Sequence, residues 1–406
     1  MPNEDFYKGY SFQLFSLDVF ISTLFVFIFL FIIPFLFQAS IFKPFKEALS
    51  DFEITDIYFS SVLPSLDLPK ETDIVIINTG MKTLDGLQEL NDVAYLKVIK
   101  SLEGKGISVL GIDHEFKAKP NSQLFEVTKS VLSSENVVLA NNINYLDNLQ
   151  KINKNDIEYG YNSGYNYYLS KNNQSTKTTR KFIPRYISNL DTFYHYGIKI
   201  AEQYNPDAVK RLFKRDKAEE RINFKGNWDK YEIINASQVF QGNYPEDYFK
   251  NKIVLMGVVD TSGTSDDFSR LYYTPLNETT SGRTFPDMYK TIITANVISM
   301  VITDDYFSDI QSWIILLFTF ILCYFNMVLF GYIGYKSPKW YELIATLTFV
   351  VESFLVVFLT VNLFYEYKIE INLTLVILAS ALSTVVYELY TDSIKPVFLL
   401  AISKFK

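Results

Sequence analysis

Asp73-Ile74-Val75-Ile76-Ile77-Asn78 and Ile107-Ser108-Val109-Leu110-Gly111-Ile112-Asp113 are the stretches that decide the fold. Both are runs of branched apolar residues, and both stop abruptly, at Thr79-Gly80 and at His114-Glu115-Phe116. Continuous apolar runs of this length, rich in Val and Ile, read as strands buried on both faces. Residues 92–103 between them follow helical spacing, with Val93, Leu96, Ile99 and Leu102 near one face and Lys97, Lys100 and Glu103 off it. Gly104 and Gly106 stop that helix. Strand, helix and strand predict a parallel βαβ unit. It brings Asn78 and Asp113 together at the carboxyl edge of one sheet, where open α/β sheets hold ligands.

The pattern continues outward. Residues 122–133 read as a second helix, with Ser122 as N-cap and Leu124, Val127, Val131 and Leu132 as its apolar positions. Val137-Val138-Leu139-Ala140 follows as a third strand. Residues 141–180 lose periodicity and fill with Asn, Tyr, Lys, Ser and Gly, which predicts a loop or hairpin excursion. Helix is expected again over 192–204, an edge strand over 221–224, a buried parallel strand over 252–258, and a last helix over 286–302. The expected fold class is α/β, with a mostly parallel sheet.

Composition narrows the class. The chain has 406 residues, 38 basic and 45 acidic, for a net charge of -7, and no basic block, so nucleic acid is not an expected partner. One cysteine and two histidines exclude a disulfide framework and a Cys/His zinc site, and neither a metal nor a cofactor is expected. Apolar stretches at 17–38, 311–335, 341–365 and 370–390 each approach the roughly 20 residues that cross a hydrocarbon core. The organisation read from sequence is a cytoplasmic start (1–16), a first transmembrane helix (17–38), an exterior α/β domain (39–310), three further transmembrane helices and a cytoplasmic tail (391–406). Lys336 and Lys339 in one short loop and Lys395, Lys404 and Lys406 after the last span place these segments inside by the positive-inside rule. Both termini are then cytoplasmic, and the large domain lies in the periplasm of a bacterial inner membrane.

Three patches of the exterior block resemble the CHASE type 2 domain, an extracellular sensory module of bacterial cyclases and histidine kinases. The first runs from Ile74-Val75-Ile76-Ile77-Asn78 through Tyr95-Leu96-Lys97-Val98-Ile99 to Val109-Leu110-Gly111-Ile112-Asp113 and Phe116. The second is Thr179-Arg180-Lys181-Phe182-Ile183-Pro184, followed by Ile222-Asn223-Phe224-Lys225-Gly226. The third is Tyr248-Phe249-Lys250-Asn251-Lys252-Ile253-Val254-Leu255-Met256-Gly257, with Asp267, Thr274-Pro275 and Ala295 downstream. The resemblance implies one helix before the domain and three membrane helices after it. Departures from the family pattern include Asn78 where an acid is usual and Thr294-Ala295 where His-Ala is common. The family often continues into a kinase, cyclase or phosphodiesterase, and residues 391–406 are too few for one.

Two groups of polar residues invite function. At the sheet edge stand Asn78, Thr79, Asp113, His114, Glu115 and Asp260, with Asp266 and Asp267 beyond. Several carboxylates on one edge suit a cation, an amine or another small-molecule ligand. The same residues equally serve as caps on loop backbone and helix ends. No nucleophile or phosphate loop accompanies them, so no enzyme is expected. In the membrane, Glu352 of the third span lies at a depth shared with Asn326, Ser383 and Thr384. A carboxyl there must be neutral or partnered. It either fixes the packing of the bundle or meets a helix of another membrane protein. The function expected is therefore a non-enzymatic accessory or scaffold subunit of an envelope complex, partnered by the lipid bilayer and by other inner-membrane or periplasmic proteins. The alternative is a sensor that signals through its helices to a separate kinase or cyclase.

Overall fold

The computed structural model describes residues 16–36, 51, 53–83, 86–117, 122–141, 162–168, 178–187, 192–261, 270–277 and 285–397. The chain divides into two compact units: Asp56–Tyr306, and a second made of Met1–Thr55 with Phe307–Lys406.

The first unit is built on a six-stranded sheet, parallel throughout. In chain order its early strands are β1 (Ile74–Asn78), β4 (Val109–Ile112), β5 (Val137–Asn141) and β6 (Ser163–Tyr165), with the hairpin β2 (Gly80–Thr83) and β3 (Gly86–Glu89) after β1. Later come β7 (Glu232–Asn235) and β8 (Ile253–Gly257), and the order across the sheet is β7-β1-β8-β4-β5-β6. β1 and β4 are parallel and joined by a helix, yet β8 lies between them, pairing Ile76 with Leu255 on one side and Gly111 with Leu255 on the other. The βαβ unit read from sequence is thus present, with one strand inserted between its two. All five residues of β8 are buried, and a strand without a polar face belongs in the middle of a sheet. Asn78 and Asp113 do share the carboxyl edge, roughly 10 Å apart as second neighbours.

Other elements differ from their sequence reading. β6 comes from the stretch expected to be a loop and closes the sheet beside β5. Gly164 is required there, because an added Cβ would come within 2.7 Å of the Tyr196 backbone. The edge strand expected at 221–224 is instead a two-residue ribbon, Glu220–Arg221 against Lys181–Phe182, and the true edge is β7. The helix expected from 192 starts at Tyr196, since residues 192–194 pair with Arg185–Ile187. The last helix starts at Lys290, since Met288–Tyr289 pairs with Leu271–Tyr272.

Helices cover both faces of the sheet. α1 (Leu17–Leu36) belongs to the other unit; here α2 (Asp92–Ser101) and α3 (Gln123–Leu132) are capped by Asn91 and Ser122, whose side chains accept from Ala94 N and Phe125 N. Val127 of α3, expected to face the core, is exposed. α4 (Tyr196–Tyr204), α5 (Pro206–Lys214), α6 (Ala236–Gln241) and α7 (Lys290–Ile302) complete the set. α7 is buried from Thr291 to Val301, so every polar side chain facing inward must find a partner. Asn296 donates to the carbonyls of Gly226 and Ile292, both at 3.0 Å, and accepts from Lys225 N at 2.7 Å. Ser299 donates to Glu71, which also takes Lys225 Nζ at 2.7 Å. Arg180 forms a two-pronged bond to Asp56, 2.8 Å from Nε and 2.6 Å from Nη2.

The second unit is helical. Among the described residues three helices are long and apolar enough to cross a membrane: α8 (Ser312–Lys336), α9 (Tyr341–Tyr367) and α10 (Thr374–Leu389), the last two belonging to continuous helical stretches Pro338–Tyr367 and Thr374–Val397. α1, expected as a fourth span, counts only as a shorter apolar helix, through its portion Leu17–Ile32. It packs against α8 and α10 through Val19, Val26, Leu30, Cys323, Met327, Ala379 and Val386. Asp18 in its first turn accepts from Tyr390 Oη and Lys395 Nζ, each at 2.7 Å.

Candidate functional site

The carboxyl edge of the sheet carries two side-chain networks, because β4 ends in consecutive residues that point to opposite faces. Asn78, at the end of β1, bonds two backbone amides and one side chain. Its Oδ1 accepts from Gly80 N (2.9 Å) and Val259 N (3.0 Å), and its Nδ2 donates to Asn235 Oδ1 (3.1 Å). One amide thus ties β1 to β7 and to the chain leaving β8. A carboxylate could accept the first two bonds but could not donate the third.

Asp113 takes side chains as partners, where a backbone cap was expected. Oδ2 accepts from Asn166 Nδ2 at 3.0 Å, and Lys290 Nζ stands 3.7 Å from Oδ1. Thr294, one turn along α7 from Lys290, continues the network through Asn166 Oδ1 (3.5 Å) and the buried Tyr168 hydroxyl (2.7 Å).

His114 opens the second network. Nδ1 donates to Glu89 Oε1 at 2.8 Å and Nε2 to Asp92 Oδ1 at 2.9 Å. Its ring stacks on Tyr95 (centroids 3.9 Å apart) and meets the Phe116 ring edge-on. Thr79 donates to Tyr95 Oη (2.7 Å), Tyr95 donates to Glu89 Oε1 (2.9 Å), and Arg270 Nη1 donates to Glu89 Oε2 (2.9 Å). Lys117 N donates to Asp92 Oδ2 (2.9 Å). Burial works against the charge on His114, but the hydrogen bonds it donates to Glu89 and Asp92 outweigh it and raise its pKa above the ordinary 6.5. Burial works against the Glu89 charge too, and its three donors, His114 first, bring it down to about 2. The cluster joins the β2–β3 hairpin, the start of α2, the segment after β4 and Arg270.

Glu115 is exposed, and Asp260 is half-buried beyond the end of β8. Asp266 and Asp267 lie outside the described residues. The other histidine, His195, is the N-cap of α4, fully buried among Tyr165, Tyr168 and Phe182, and burial pushes its pKa down to about 3.

In the helical unit, Glu352 of α9 accepts from Asn326 Nδ2 of α8 at 3.0 Å and from Ser380 Oγ of α10, both on Oε2. Oε1 makes no hydrogen bond among the described residues, and the side chain lines a groove of about 450 Å³ with Phe325, Val328, Leu329, Tyr332 and Thr348. Ser383 and Thr384, expected in this cluster, bond the carbonyls of Ala379 and Ala381 in their own helix instead. Depth counted along a sequence does not fix which way a helix faces, and Ser380 is the residue that faces Glu352.

Sequence reading missed Glu89, Asp92, Arg270, Asn166 and Lys290. Each looks like a surface charge or amide until the hairpin and α7 fold over the edge. Asn91-Asp92 at a helix start was the one local signal.

The fold defines an α/β domain whose chain continues into helices with the length and composition of membrane spans. A model of the CHASE2 domain, a family of sensory domains, matches residues 26–333, and the chain belongs to that family. No curated protein and no solved structure matches it.

Proposed function

We propose that this protein is a non-enzymatic accessory subunit of a membrane complex, holding a partner helix in its bundle while its CHASE2 domain stands in the periplasm. In this reading α1 is a fourth span, both termini are cytoplasmic, and the membrane is a bacterial inner membrane. The Lys residues of the short loops support that orientation. The observation that carries the partner role is Glu352. A mid-span carboxyl costs several kcal/mol unless it is neutral or paired, and here both donors share one oxygen while the residue lines a groove. A helix presenting a hydrogen-bonding side chain at that depth would complete it. The non-enzymatic part of the reading is supported by His114, whose two ring nitrogens are both held by carboxylates and not by a nucleophile.

Purification in a mild detergent tests the proposal. Wild-type chain is expected to migrate with a second membrane protein, Glu352→Gln to retain it, and Glu352→Leu to hold it about five- to thirtyfold more weakly, the loss of about one to two kcal/mol of interhelical bonding. A lone wild-type monomer would count against the reading. The second reading, a sensor acting on a separate kinase or cyclase, is favoured by the charged cluster at the sheet edge. A small molecule or cation that raises the unfolding temperature of the full chain would support it, since only a ligand with differential affinity shifts a state.

A further inference from the structure

We propose that His114 is a proton-operated latch that closes the carboxyl edge of the sheet against the start of α2. Both ring nitrogens lie within 2.9 Å of a carboxylate oxygen, and carboxylates only accept. An imidazole satisfies both only when it carries both protons. When neutral it has one N–H, and the other nitrogen turns a lone pair on a carboxylate oxygen at hydrogen-bond distance.

The groups around the ring decide which contact opens. From β3, Glu89 keeps two other donors, Tyr95 and Arg270. From α2, Asp92 keeps, among the described residues, only the Lys117 backbone, on its other oxygen. Tyr95 from the same helix stays neutral, its phenol held far above the ordinary range by burial. Arg270 stays charged. On the segment after β4, Asp113 pairs with Asn166 and Lys290 on the opposite face, Glu115 is exposed, and Phe116 is apolar. Glu89, Asp92, Arg270 and protonated His114 balance, and loss of the proton leaves one net negative charge in a half-buried site. The Nε2–Asp92 contact is therefore the latch, and the Nδ1–Glu89 contact is the hinge on which the ring stays.

The sign follows from the direction of the shift. The His114 pKa is raised in the folded chain, so its contribution is complete below 6.5 and is lost as pH rises through the folded value. Mildly acidic surroundings close the edge and alkaline ones release it.

The chain's two histidines make the test clean, because His195, depressed to about 3, is silent between pH 5 and 9. The full chain in detergent, with ¹³C-labelled histidine, is expected to show one ring titrating above 6.5. Hydrogen exchange over residues 113–117, corrected for its intrinsic pH dependence, should become at least about tenfold faster from pH 6 to pH 9, the scale of one charge-assisted bond. Asp92→Asn supplies an amide that can donate to neutral imidazole, and should remove that acceleration and lower the His114 midpoint. A wild-type His114 midpoint at or below 6.5, or exchange over 113–117 that does not change with pH, overturns the proposal even if the variant fails to fold. Equal pH dependence in wild type and Asp92→Asn overturns it as well.

Discussion

Arg180→Ala is expected to lower the stability of the 56–306 unit by about 3–5 kcal/mol, the cost of leaving a buried carboxylate without its counter-ion. Arg180 and Asp56 are both largely buried, and the guanidinium meets the carboxylate with two parallel N–H bonds. Removing the cation takes the two-pronged partner away from Asp56 at a largely buried position. Arg180→Lys should recover only part of the loss, because an ammonium keeps the charge but not the fork. Urea titration checks this through Trp228, with Trp313 and Trp340, the other two tryptophans, replaced by Phe. A loss under 1 kcal/mol for Arg180→Ala would show that the pair contributes little to holding the unit together.

Gly257→Ala is the second large effect. Gly257 ends β8 directly beneath α7, and an added Cβ would run into the Thr291 hydroxyl and come within 3.1 Å of Cγ2. Both elements are buried, so neither can swing away. Overpacking of this kind costs about 1–3 kcal/mol, and the upper end is expected here. The double variant Gly257→Ala, Thr291→Ala should recover most of the loss, because only the residue 291 Cβ, at 3.2 Å, then remains in the way. Additive losses in the two single variants and the double would place the strain elsewhere.

The sheet was legible in sequence where burial is complete. The runs at 74–78, 109–112, 137–141 and 253–257 contain residues buried on both faces, and such strands advertise themselves as uninterrupted apolar stretches. The edges were not. β6 is three residues with a glycine at its centre, and β7 is Glu-Ile-Ile-Asn, so neither shows a period to read. Their positions depend on tertiary packing, β6 on the close approach of the α4 backbone and β7 on its pairing with β1. Neighbour order in a parallel sheet is likewise set by which strand can bury two faces, which explains why β8 separates β1 from β4.

The candidate site divides the same way. Asn78, Asp113 and His114 were visible because they end strands, a position that sequence fixes to within a residue or two. Their partners were not, because Glu89 and Asp92 precede His114 by 25 and 22 residues and Lys290 follows Asp113 only across most of the domain. In the helical unit Glu352 stood out as an acid within an apolar stretch, and Asn326 was found by depth. Ser380 rather than Ser383 completes the group because the facing of a helix comes from packing against its neighbours.

Cross-linking in native membranes tests the partner role most directly. With a photo-reactive residue at Leu329, in the groove beside Glu352, irradiation is expected to give one discrete adduct with a second membrane protein. The same group at Val385, exposed on α10, should give none, and Glu352→Leu should abolish the Leu329 adduct. A Leu329 probe that captures only lipid, in a chain that extracts as a lone monomer, would contradict the account.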